Sequence, residues 1–68
     1  MQPIKALCKH HGTPYAMSEK YNINGCQLYR WIDMGALVDD NGQVYIPTKM
    51  TDENRAGVKA AITNQKGN

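Results

Sequence analysis

Cys8, His10, His11 and Cys26 are the side chains of this 68-residue chain that could ligate a metal, and their spacing argues against it. No CxxC pair is present, and the adjacent histidines would point about 100° apart on a helix. The expectation is a buried cysteine and a histidine at a helix end, with no metal and no cofactor. Asp39 and Asp40 belong to an exposed turn, no Ser or Cys has a positioned base, and there is no glycine-rich phosphate loop. The chain therefore does not read as an enzyme, and no small-molecule substrate is expected. What remains is hydrogen-bonding chemistry in "NINGCQLYRWIDMG", residues 22–35, where Tyr29 and Arg30 fall on the open side of a helix with Gln27 at its margin. Arg can donate two hydrogen bonds to guanine and Gln can bond bidentately to adenine, while Tyr29 suits a phosphate or a thymine methyl. Asn24 would sit near bases or backbone, at the helix end whose dipole favours phosphate.

The positioning elements follow from local chemistry. Pro3 suits a first helical turn, and Ile4, Leu7, Cys8 and His11 recur at i, i+3, i+4 and i+7 before Gly12 stops the helix. Thr13-Pro14 reads as a cap followed by proline at the first helical position, which starts a second helix running to about Tyr21. In that helix Met17 and Tyr21 share a face, with the small Ser18 beside them. Asn22 suits the left-handed residue that ends it. Asn24 caps a third helix, with Gln27 able to reach back in a variant of the capping box. Leu28, Trp31 and Ile32 form its inward stripe with Ile23 and Met17, leaving Cys26, Tyr29, Arg30 and Asp33 outward, and Gly35 ends it.

Two short helices joined by a polar turn have the organisation of a helix-turn-helix. Next, "ALVDDNGQVYIPT" reads as a hairpin in which Leu37-Val38 and Val44-Tyr45-Ile46 flank a type I′ turn at Asn41-Gly42. Pro47 marks the end of pairing or a sheet edge. From Thr51 the spacing predicts a C-terminal tail with a short helix bearing Val58, Ala61 and Ile62, weakened by Gly57, and then a disordered "NQKGN". The fold class expected is α+β: three helices and a two-stranded hairpin over residues 1–50, with residues 51–68 as the tail.

Composition sets the bounds. One domain is all this length permits, and at 41% hydrophobic with a single Trp and no Phe its core is small. The net charge of +2 and a pI of 8.6 favour anionic partners mildly. Positive charge in the first 38 residues, from Lys5, Lys9, Lys20 and Arg30 against Glu19 and Asp33, precedes an acidic turn. With no apolar leader or long apolar run, and with so few cysteines, a soluble and reducing compartment is expected, and no membrane.

The run "HHGTPYAMSEKYNINGCQLYRWI", residues 10–32, resembles the helix-turn-helix segment of the Cro repressors of lambdoid phages. "NGQVYIPTKM" is similar to the hairpin of the α+β members of that family. Together the matches cover about residues 4–50. Ser18 stands where the family usually has alanine, Asn22 where it has the turn glycine, and His11 where it has a buried phenylalanine. The hairpin looks shorter than in the best-known members, and no third strand is evident in "MQPI". The resemblance implies a repressor in the cytoplasm of a bacterial host that binds pseudo-palindromic operator DNA as a homodimer and occludes polymerase. It implies base reading by Asn24, Gly25, Cys26, Tyr29 and Arg30, and phosphate contacts near Thr13, Pro14 and Tyr15. Lys20 joins these by charge and Gln27 by its place on the helix. For the dimer contact, Val44, Tyr45 and Ile46 are the expectation, as an edge strand with Val44 and Ile46 on one face, although both could instead cover the monomer core.

Two alternatives remain. "LYRWIDMGALVDDNGQVYIP", residues 28–47, looks like the helix and wing of phage excisionases, which bend DNA, though carboxylates at the tip would be repelled by phosphate. A protein-interaction module using Tyr29, Trp31 and the hairpin is the other.

Overall fold

Thr13 and Asn24 each begin a helix by folding a side-chain oxygen over it. In the computed structural model, which describes residues 1–66, Thr13 Oγ1 accepts from the Ala16 N–H at 3.1 Å and Asn24 Oδ1 from the Gln27 N–H at 3.1 Å. They start α2 (Pro14–Tyr21) and α3 (Gly25–Asp33), which follow α1 (Ile4–His10). Asn22, at φ 56°, ψ 46°, ends α2 in the left-handed region. Gly35, at φ +70°, ends α3, and the Ala36 N–H returns to the Trp31 carbonyl at 3.0 Å while the Gly35 N–H returns to Ile32 at 3.1 Å. Met34 caps α3 and Gly12, at φ +106°, follows α1, so these helix stops stand where the residue types put them.

The protein is a small α+β fold: the described residues form four helices and one four-stranded antiparallel sheet, with the strands in the order β1 (Gln2–Pro3), β2 (Leu37–Val38), β3 (Val44–Ile46), β4 (Lys49–Thr51). This corrects the two-stranded hairpin. A third strand does lie in "MQPI": Gln2 pairs with Val38 and Pro3 with Leu37, and Pro3 is also the N-cap residue of α1 rather than its first helical residue. Pro47 does not end pairing. The chain reverses over Pro47-Thr48, and Ile46 faces Lys49, Tyr45 faces Met50 and Val44 faces Thr51. The added strand makes β3 an interior strand, paired on both sides, so Val44, Tyr45 and Ile46 offer no open edge to a partner.

The β2–β3 turn also differs from the expected type. Of its residues only Gly42 has positive φ, at +83°, and the Gly42 N–H bonds the Asp39 carbonyl at 3.1 Å while the Asp39 N–H bonds Gln43 at 3.1 Å. That is a three-residue loop closed by a left-handed glycine. Asp39 organises it: one carboxylate oxygen accepts from the backbone N–H of Asn41 at 2.9 Å and Gln43 at 3.0 Å, and the other accepts from the Tyr45 hydroxyl at 2.8 Å.

Over residues 51–66 the expected tail is ordered against the rest of the fold. Helix α4 (Arg55–Lys66) runs for 12 residues and buries Val58, Ala61 and Ile62, the residues its spacing singled out. Asn64, Gln65 and Lys66, expected to be disordered, are its last residues; the end of that expected segment lies outside the described residues. Gln65 exchanges side-chain hydrogen bonds with Gln2, which ties the two ends of the fold together.

The core gathers Ile4, Leu7, Met17, Leu28, Trp31, Val38 and Val44 with Val58, Ala61 and Ile62 of α4, all essentially inaccessible to solvent. Burying each of the larger of these side chains contributes about 1.5–3 kcal/mol. His11, in the place of an apolar core residue, is half-buried: its Nε2–H donates to the Ala61 carbonyl at 2.9 Å and its ring meets Tyr21 edge-on at 5.2 Å. Among the described residues no helix is long and apolar enough to cross a membrane.

Gly57 is required because α4 passes against the end of α2. A Cβ there would lie 2.5 Å from the Tyr21 carbonyl oxygen and 2.8 Å from Ile23 Cγ1. Gly57→Ala should therefore destabilise the fold by about 1–3 kcal/mol, although alanine is the better helix former by roughly 1 kcal/mol. Urea denaturation checks this, and an unchanged or higher midpoint would mean that α4 sits elsewhere.

Candidate nucleic-acid interface

Helix α3 is a ridge between two grooves. On one side, Tyr15, Ser18 and Glu19 of α2 face Gly25 and Cys26 across the turn of Asn22, Ile23 and Asn24. On the other, Arg30 and Met34 face Ile46, Lys49 and Thr51 of the sheet. Close approach of α2 and α3 rests on two small residues: buried Ser18, whose hydroxyl donates to the Tyr15 carbonyl at 2.7 Å, and Gly25, where a Cβ would contact Ser18 Oγ at 3.6 Å.

Along the ridge the outward residues are Cys26, Tyr29, Arg30 and Asp33, all exposed, with Tyr29 at 49%. Neither the Tyr29 nor the Arg30 side chain makes a hydrogen bond or ion pair to another described residue, so a phenol and a guanidinium with five donors are left for an outside partner. Asn24 is exposed too. Its carbonyl oxygen is used in the cap, and its own N–H donates to Asn54 Oδ1 at 3.2 Å, so the residue before α4 holds the start of α3.

Gln27 is placed differently from the expectation. It does not reach back to Asn24; in the amide orientation that satisfies both ends, its oxygen accepts from the Trp31 indole N–H at 2.7 Å and its nitrogen donates to Glu53 Oε2 at 3.2 Å. A buried indole needs that acceptor, because an unsatisfied donor there costs about 1–3 kcal/mol. In that orientation Gln27 supports Trp31.

The residues assigned to phosphate also divide. Thr13 spends its hydroxyl oxygen on the cap, although the residue is exposed. Tyr15, 64% exposed, projects beside α3, and a hydrogen bond with the Glu19 carboxylate one turn on raises its phenol above the ordinary value. Lys20 lies on the other flank of α2, away from the groove, with its ammonium 5.6 Å from the Tyr21 ring centre. Tyr21 in turn accepts from Asn64 of α4 at 2.8 Å. Glu19 and Asp33 make this surface electrostatically mixed rather than basic.

Cys8, His10, His11 and Cys26 are not brought together. Burial pushes the Cys8 thiol up to about 11, His11 is bound to Ala61, and Cys26 lies in the open on α3. Among the described residues no group of three or more His, Cys, Asp or Glu is placed to hold a metal ion. Sequence reasoning missed Lys49 as a neighbour of Arg30; the signal was the Pro-Thr pair between two short β-forming stretches, which permits a second reversal.

No family model, no curated protein and no solved structure matches this chain.

The acidic turn carries a pH dependence. The Tyr45 hydroxyl, ahead of the two backbone N–H donors and Arg55, holds the Asp39 carboxyl below its ordinary value, and the same bond raises the Tyr45 phenol. A carboxyl lowered on folding stabilises the fold above its unfolded value, and that contribution disappears as pH falls through the folded value. In Tyr45→Phe the Asp39 midpoint should move up toward that of a free carboxyl, read by carbon NMR titration; identical midpoints in both proteins would remove Tyr45 as the cause.

Proposed function

We propose that this chain is a small DNA-binding repressor of the Cro type, a helix-turn-helix protein that places α3 in the major groove and binds pseudo-palindromic operators as a dimer. The observation that carries the reading is the uncommitted pair Tyr29 and Arg30 on a helix whose other faces are filled. Leu28 and Trp31 are core, Gly25 abuts α2, and Gln27 serves Trp31. Arg30 is the base reader, with geometry suited to a guanine edge. Tyr29, Cys26 and the remaining amide donors of Asn24 lie on the same exposed side. Tyr15 at the start of α2 fits a phosphate beside them. Glu19 and Asp33 flank these donors and weaken purely charge-driven binding, which favours selection by sequence over general attraction to DNA.

The dimer contact falls on β4 rather than on β3. Val44 is fully buried within its own monomer, whereas β4 is an outer strand of the sheet with an unpaired side. Repression would follow from occupancy of the operator, with half-sites about 34 Å apart, one turn of DNA.

The excisionase-like reading needs the 39–42 turn to enter a minor groove. That turn is seated on α4 instead: a Cβ at Gly42 would lie 2.7 Å from the Arg55 carbonyl, and Arg55 Nε donates to the Asn41 carbonyl at 3.3 Å. The turn is also acidic, so the repressor reading is preferred.

Selection from a random DNA library at about 150 mM salt tests the proposal, since non-specific binding is weak there. A pseudo-palindrome with half-sites one turn apart is expected, and no enrichment would overturn DNA binding. On the selected operator, Arg30→Ala should cost about 1–3 kcal/mol and relax preference at one base pair per half-site. An equal loss on every sequence would make Arg30 a phosphate contact.

A further inference from the structure

We infer that the β3–β4 turn is a second DNA-contacting element, in which Lys49 holds a phosphate of the strand bordering the groove that α3 reads. The inference rests on the repressor reading and adds to it a contact on a different element. Pairing with Ile46 puts Lys49 on the face of the sheet that carries Ile46 and Thr51, while Met50 shares the opposite face with Tyr45 and Leu37. Ile46 packs against the core, so this is the helix side of the sheet. Lys49 accordingly lines the groove beside α3 together with Arg30, Met34 and Ile46.

Neither cation has a partner. Like that of Arg30, the side chain of Lys49 makes no hydrogen bond or ion pair to another described residue, and Glu53, the acid in the same groove, accepts from Gln27. Glu53 is the one carboxylate lining this groove, against two cations whose donors are not taken up by another described residue, and those donors suit a further anion at the rim. With Arg30 directed at bases, the anion beside it is the sugar-phosphate backbone that walls the major groove, and a lysine serves phosphate as a flexible point charge. The turn itself suits that surface. From Tyr45 to Met50 there is no acidic residue, Pro47 restricts the backbone at the reversal, and Thr48 presents an exposed hydroxyl. Pairing of a second copy at the outer edge of β4 would use backbone groups and leave the Lys49 ammonium on the groove side.

The test measures affinity against salt concentration for the full chain on its selected operator and on an unrelated duplex, comparing wild type with Lys49→Gln and Lys59→Gln. Lys59 is an exposed lysine of α4 and controls for net charge. Lys49→Gln should weaken both duplexes by the same factor, leave the preferred sequence unchanged, and make the log-log salt slope shallower by about 0.9 per lost phosphate contact. Lys59→Gln should leave the slope as it is. An unchanged slope in Lys49→Gln, or an equal change in both variants, overturns the contact while the repressor reading stands. A change in preferred sequence makes Lys49 a base reader and overturns it as well. If the wild-type chain enriches no DNA, the repressor reading fails and this contact falls with it.

Discussion

The close passage of α4 over the end of α2 is the constraint on which the rest of the arrangement depends. At Gly57 the two backbones approach so nearly that no side chain fits between the helix and the Tyr21 carbonyl. Three further contacts become possible at that separation. Asn54 reaches the N–H of Asn24, Val58 and Ile62 enter the core, and the glycine of the β2–β3 turn settles against Arg55 and Lys59. Helix α4 thus braces both the turn that aims α3 and the hairpin that follows it. In a chain this short, such a brace stabilises the outer surface of α3 without drawing on that surface for contacts.

Polar groups near α3 are separated by what they must satisfy. The indole of Trp31 is buried, so Gln27 is turned inward to accept from it, and Glu53 holds the other end of the amide. Arg30 lines the same groove as Gln27 but is exposed, and its guanidinium makes no hydrogen bond or ion pair to another described residue. The inner side of α3 packs against α1 and α2, while Glu53, from the segment before α4, reaches Gln27 at its margin.

Charge follows the same economy of position. The turn that holds the acids Asp39 and Asp40 leans on the first turns of α4, close to Arg55 and Lys59. There Asp39 acts as an internal acceptor for two N–H groups and a phenol. Hairpin β3–β4, free of carboxylates, is the one placed beside α3. Which hairpin lies beside the exposed face of α3 is decided by packing.

Local chemistry by itself determined the boundaries of α1, α2 and α3. The caps Thr13 and Asn24, the left-handed Asn22 and the stop at Gly35 act within a few residues of themselves, and the apolar spacing of Leu28, Trp31 and Val58 identifies faces that any fold must bury. The outward position of Tyr29 and Arg30 was legible for the same reason. Only the tertiary structure decided what depends on contacts between distant segments: the pairing of Gln2-Pro3 with β2, the added strand β4 that closes the outer side of β3, the diversion of Gln27 to Trp31, and the removal of Lys20 to the far flank of α2. Gly57, which weakens a helix when considered alone, is required there by a neighbour 36 residues away in sequence. Propensity and spacing report what a residue does to its own element, whereas pairing edges, close approaches and hydrogen-bond partners exist only after the elements have met.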